Sequence, residues 1–145
     1  MKLSFREKSI WISLVSTALF YGYYFLRAFN EIFYIKNYSP GLIFLFIIIT
    51  ILIIVVQIIS HIIISVFSKT AREEARERDD ERDRLIKAKG ITNSYYVLSA
   101  GVWITCMWMP FLETTFIMAN ILMLFFVLAS VFDYATQLVY YRKGV

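Results

Sequence analysis

His61 and Asp133 are titratable side chains set in long apolar stretches, His61 after a run of isoleucines and Asp133 between Phe132 and Tyr134. A charge near the centre of a bilayer costs ~2.5 kcal/mol or more, which makes each of them a functional candidate. Imidazole titrates near neutral pH, so a His–Asp pair at membrane depth can relay protons or gate an ion path. Gln57 is one helical turn from His61 on the same face, and Gln137 stands in the same relation to Asp133. Counted from the inner ends of their helices, His61 and Asp133 fall at the same level. The plainer use of such a pair is an interhelical hydrogen bond, worth ~0.6 kcal/mol on average. Asn120, earlier in the stretch that holds Asp133, is read as a helix-pairing residue.

A second polar group lies near the other end. Arg27, Asn30 and Glu31 close one apolar stretch, and Glu113 stands between two others. Arg27 can pair with Glu31 one turn later, or reach Glu113, or simply snorkel to the interface. No catalytic set emerges. His61 has no Ser or Cys nucleophile at matching depth, and neither metal-ligand spacing nor a glycine-rich phosphate loop is present. The sequence therefore predicts a non-enzyme with no cofactor and no metal site. The single cysteine, Cys106, lies in an apolar segment and allows no intrachain disulfide.

The elements that hold these residues can be read from composition. Hydrophobic residues make up 59% of the chain and charged residues 18%, a mixture that works only if the charges are segregated. They concentrate at the start, in residues 69–89 and at the end. The segments 9–29, 41–67, 94–112 and 114–140 each reach the ~20 apolar residues needed to cross ~30 Å of hydrocarbon. Helices are required, because lipid cannot satisfy an open strand edge. The first segment is longer than a signal-peptide core and lacks a small-x-small cleavage site, so it reads as a retained helix. The cluster Asn37-Tyr38-Ser39-Pro40-Gly41 marks a turn, Gly90 ends the charged segment, Thr92, Asn93 or Ser94 can cap the third span, and Pro110 closes it.

Lys2, Arg6 and Lys8, the bases of 69–89, and Arg142 with Lys143 share one face only if the number of spans is even. The excess of Lys and Arg then sets both termini and the charged loop on the cytoplasmic side. Trp11, Tyr95, Tyr96, Tyr140 and Tyr141 form an inner aromatic belt, and Tyr34, Tyr38, Trp103 and Trp108 an outer one. The predicted fold is an all-α, integral membrane four-helix bundle, N-in and C-in, with a charged cytoplasmic helix between spans two and three. The net charge of +4 is juxtamembrane and meets lipid headgroups rather than nucleic acid. Ala18 and Gly22, flanked by Ser13 and Thr17, offer a close-packing face on span one, and Ser99, Ala100, Gly101 and Thr105 a small-residue stripe on span three. Span two has almost no small residues and should present its surface to lipid or to another copy.

Residues 69–89 read KTAREEARERDDERDRLIKAK. Bases and acids nearly balance, and pairs such as Glu74–Arg78 and Asp80–Arg84 support a helix at ~0.2–0.5 kcal/mol each. With no apolar stripe in its middle, this helix should project from the membrane, with Leu85 and Ile86 marking the return. Glu73, Glu77, Asp80, Glu81, Arg82, Asp83 and Arg84 are its candidate partner contacts. Glu73, Glu77 and Asp80 or Glu81 also share a face of the kind that binds a divalent cation, though the interleaved arginines oppose it. The stretch Asp80-Glu81-Arg82-Asp83-Arg84-Leu85-Ile86-Lys87, with Tyr95-Tyr96-Val97-Leu98 after it, resembles a pattern in small prokaryotic four-span membrane proteins of unknown function with a charged Asp-Glu-Arg loop. That resemblance covers about twenty residues and the overall layout. It implies a multi-pass protein of the prokaryotic cytoplasmic (inner) membrane and supplies no activity.

Two functions are in competition. In the first, the spans anchor an accessory or regulatory subunit whose charged helix meets a membrane or cytoplasmic protein, or a second copy of the chain. In the second, the chain assembles into a small oligomeric transporter or channel that uses Asp133 and His61. Four-helix drug exporters keep a glutamate in mid-helix one, whereas residues 12–21 here contain no carboxylate.

Overall fold

The computed structural model describes residues 5–32, 41–67, 81–111 and 114–143. Among these residues the chain is all-α: α1 (Phe5–Asn30), α2 (Gly41–Phe67), α3 (Glu81–Trp108) and α4 (Thr115–Lys143), with a 3-10 turn at Met109–Phe111. Three stretches, Glu7–Asn30, Gly41–Ser60 and Thr115–Lys143, are long and apolar enough to cross a membrane. α3 matches them in length, but its first turns are charged and Thr92, Asn93, Ser94, Tyr95 and Tyr96 dilute the apolar character of its middle.

Local chemistry sets the turn between α3 and α4. Pro110 falls in the 3-10 turn, where its missing N–H is tolerated. Thr114 then caps α4: the Ile117 amide lies 3.1 Å from the Thr114 carbonyl and 3.4 Å from its Oγ1.

The helices alternate in direction. Tyr24, late in α1, bonds Asn120, early in α4, while Trp11 and Arg142 lie 5.7 Å apart at the other end. α3 runs antiparallel to α4, from Asp83 beside Tyr141, through Asn93 beside Thr136, to Gly101 beside Phe125. The principal interfaces are α1–α2, α1–α4 and α3–α4. The arrangement is a series, α2–α1–α4–α3, with α2 and α3 outermost. Leu42, Ile49 and Ile53 of α2 are buried, while Ile43, Phe44, Ile47, Ile51, Ile58 and Ile62 stay exposed, as its lack of small residues predicts.

Two sequence expectations are corrected. The packing face of α1 is Ser13, Ser16, Thr17, Tyr21, Tyr24 and Ala28. Ser13 and Thr17 belong to it, but Ala18 is exposed, and a Cβ on Gly22 would meet nothing within 4 Å. Tyr21 and Tyr24 find hydrogen-bond partners on that face, at Thr50 and Asn120, while Ser16 bonds the Ser13 carbonyl of its own helix. On the second point, α3 neither breaks at Gly90 nor starts near Ser94. Thr92 Oγ1 donates to the Ala88 carbonyl at 2.9 Å and Ser94 Oγ to that of Ile91 at 2.8 Å. These residues back-bond within a continuing helix instead of capping a new one.

Candidate functional site

Gly90 lies inside α3, against α4. A Cβ at this position would overlap Asp133 Oδ1 and lie 2.9 Å from Gln137 Cγ and 3.2 Å from the Asp133 carbonyl oxygen. The missing side chain is what lets the polar stripe of α4 seat against the backbone of α3. About three helical turns further on, Gly101 repeats the device: a Cβ there would overlap Phe125 Cβ and Cγ. Thr105, 1% exposed, donates to the Gly101 carbonyl at 2.8 Å, so this segment hides its hydroxyl on itself.

Around the Gly90 contact the α3–α4 seam is polar. Gln137 Nε2 donates to Asp133 Oδ1 at 2.8 Å, and Asn93 Nδ2 to Thr136 Oγ1 at 3.3 Å. Nearer the ends, Lys89 Nζ lies 4.4 Å from the centre of the Tyr140 ring, and Tyr141 donates to Asp83 Oδ1 at 2.7 Å. Ile86, 2% exposed, is the apolar residue that turns inward within this charged turn. Beside Asp133 an open groove of about 320 Å³ is lined by Ser94, Tyr95, Leu98, Phe126, Ser130 and Tyr134, among others.

A second polar site bridges the other helices. Tyr24, fully buried, donates to Asn120 Oδ1 at 2.7 Å, and Asn120 Nδ2 donates to the Phe116 carbonyl at 2.9 Å. Tyr21 Oη lies 3.0 Å from Thr50 Oγ1, whose proton goes to the Phe46 carbonyl at 2.8 Å, so Tyr21 is the donor. Phe46 packs against both tyrosines at 5.1–5.3 Å, tilted to Tyr21 and edge-on to Tyr24. Ala28, Leu42, Ile49, Ile53 and Val127 complete this core. Its groups satisfy one another, leaving a structural site with little capacity for chemistry.

The sequence candidates thus separate. Asn120 does join two helices, through a tyrosine that the sequence did not single out. Asp133 and Gln137 meet each other and α3. Gln57 lies on α2 and approaches Tyr134, the neighbour of Asp133 in sequence. His61 belongs to α2, and its side chain lies outside the described residues, as do Glu113, residues 68–80 with Glu73, Glu77 and Asp80, and the side chains of Glu81 and Arg82. Arg27 Nε is 3.3 Å from Glu31 Oε1, the i,i+4 pairing. Among the described residues no group of His, Cys, Asp and Glu is arranged to hold a metal ion. Tyr24 carried one signal: with Ser13, Thr17, Tyr21 and Ala28 it completes a stripe at helical spacing. No protein-family model, curated protein or solved structure matches the chain.

Proposed function

We propose that this chain is a four-span protein of the prokaryotic cytoplasmic membrane, both termini inside, acting as a non-enzymatic accessory or regulatory subunit through its charged segment. The continuity of α3 carries this reading. Its 28 residues extend about 42 Å at ~1.5 Å per residue, longer than the ~30 Å of hydrocarbon. The charged turns at Asp83–Lys89 therefore extend a membrane helix beyond the hydrocarbon, latched to α4 by Tyr141–Asp83 and Lys89–Tyr140. A partner or a second copy that engages the charged segment thereby reaches the end of the α3–α4 seam.

The same packing supports the fourth span. α3 runs alongside α4 from Asp83 to Gly101, so a bilayer that surrounds α4 surrounds α3 from about Gly90 onward. Lys8, Lys89, Arg142 and Lys143 gather at one end, which the excess of inner Lys and Arg assigns to the cytoplasm. Deleting residues 72–84 and comparing the proteins that co-purify from membranes tests the partner reading. Loss of one or more specific partners supports it, and an unchanged set overturns it.

The groove beside Asp133 favours a second reading, an oligomeric transporter or proton or ion channel using Asp133 and His61. Purified protein in liposomes should then carry a flux that Asp133→Asn abolishes. Equal flux in wild type and variant removes Asp133 from any such path.

A further inference from the structure

The Asp133 groove has a chemistry that partner binding does not use. Gln137 engages Asp133 Oδ1 at 2.8 Å. Among the described residues no cation pairs with the carboxylate and nothing donates to its second oxygen; Lys89 is directed onto the Tyr140 ring instead. Ser94 and Ser130 also line the groove, and both spend their protons on their own helices, to the Ile91 and Phe126 carbonyls at 2.8 and 3.1 Å. Each hydroxyl oxygen keeps lone pairs that can still accept. Tyr95, Phe126 and Tyr134 add aromatic rings to the lining and Leu98 an aliphatic side chain.

Negative charge, spare acceptors and π-faces attract a cation, and the rest of the wall suits an apolar body. A volume of about 320 Å³ is at the small end of the ~300–1,000 Å³ usual for ligand sites. The groove opens to the surface beside Tyr95, which is 64% exposed, so entry requires no parting of helices. We propose that this groove binds an amphiphilic monocation, its ammonium group held by Asp133 and the tyrosine rings and its apolar part resting on Leu98 and Phe126. A free organic cation and an ethanolamine lipid headgroup share this chemistry. Occupancy is an equilibrium property, and it stands whether or not the chain carries flux or a protein partner.

The test uses the full chain in nonionic maltoside micelles and equilibrium dialysis of radiolabelled benzyltrimethylammonium, with neutral neopentylbenzene as its isostere. The expected result is saturable binding that weakens at least ~10-fold in Asp133→Asn, because a charge pair is lost from a partly dry site. That variant keeps an oxygen for Gln137. Tyr95→Leu, at an exposed position that leaves packing intact, should weaken binding by ~2–5-fold through the lost cation–π contact. Phosphatidylethanolamine that competes where phosphatidylglycerol does not identifies a lipid headgroup as the occupant, and competition by neither identifies a free cation. Equal affinity in wild type and both variants, or equal binding of the neutral isostere, overturns the proposal.

Discussion

Around Tyr24 three helices close on aromatic rings, whereas along Gly90 and Gly101 two helices close on the absence of a side chain. Lipid offers helices no hydrophobic reason to associate, so each interface has to be made of contact and hydrogen bonding. The α1–α2–α4 core takes the first route. Tyr21, Tyr24 and Phe46 fill the space and two hydrogen bonds fix the rotation of each helix. The α3–α4 seam takes the second, bringing polar side chains of α4 onto α3 backbone and leaving a groove where Asp133 is reachable from outside. A filled, satisfied contact holds the molecule together. A close but unfilled one leaves an open groove, and of the candidates read from the sequence it is Asp133 that borders it.

The largest effect should come from emptying the first region. Tyr24→Ala removes a fully buried ring and strands Asn120 Oδ1, a loss of ~3–5 kcal/mol by analogy with other buried aromatics. Reversible unfolding in mixed SDS micelles measures it, and a loss below ~1 kcal/mol would place the anchor elsewhere. The second region should fail by the opposite change. Gly90→Val adds atoms where none fit, costing ~1–3 kcal/mol by overpacking, and it should close the groove by pushing α3 off Asp133. Gly22→Val, at a glycine with open space, is the control and should be near neutral in the same assay.

That pair of glycines shows what could be read in advance. The helical class was set by the length of the apolar segments, three of which are helices long and apolar enough to cross a membrane among the described residues. Rotation was not legible. Gly22 and Gly90 are the same letter, and a spacing rule assigned packing to the first and a break to the second. What decides is the neighbour: Asp133 and Gln137 lie 43 and 47 positions after Gly90, and no local pattern points to them. Asn120 could be recognised as a pairing residue because an amide in lipid needs a partner. Its tyrosine could not, among ten tyrosines, until α1 and α4 were known to be neighbours.

A milder change separates filling from bonding within the core. Tyr24→Phe keeps the ring and removes the donor to Asn120, so the loss should fall to ~0.6–1.7 kcal/mol, the range measured for hydrogen bonds between membrane helices. A loss as large as that of Tyr24→Ala would mean that the hydrogen bond, and not the ring, holds the three helices.

The smallest effect probes the end of the seam. Tyr141 donates to Asp83 at 2.7 Å, and the residues there are close to water, which can replace the bond. Tyr141→Phe should therefore change global stability by less than ~1 kcal/mol. Its local consequence should be larger, because the bond ties the first turns of α3 to α4 before Gly90 takes over. Amide exchange over residues 83–89 should quicken in the variant while exchange in the first half of α4 stays unchanged. If exchange quickens equally along all of α3, the charged turns and the Gly90 contact form one cooperative unit. A signal received at the charged segment would then reach Asp133 by moving the whole helix. If the change stops before Gly90, the glycine contact is the fixed point, and the charged segment can bend without disturbing the groove.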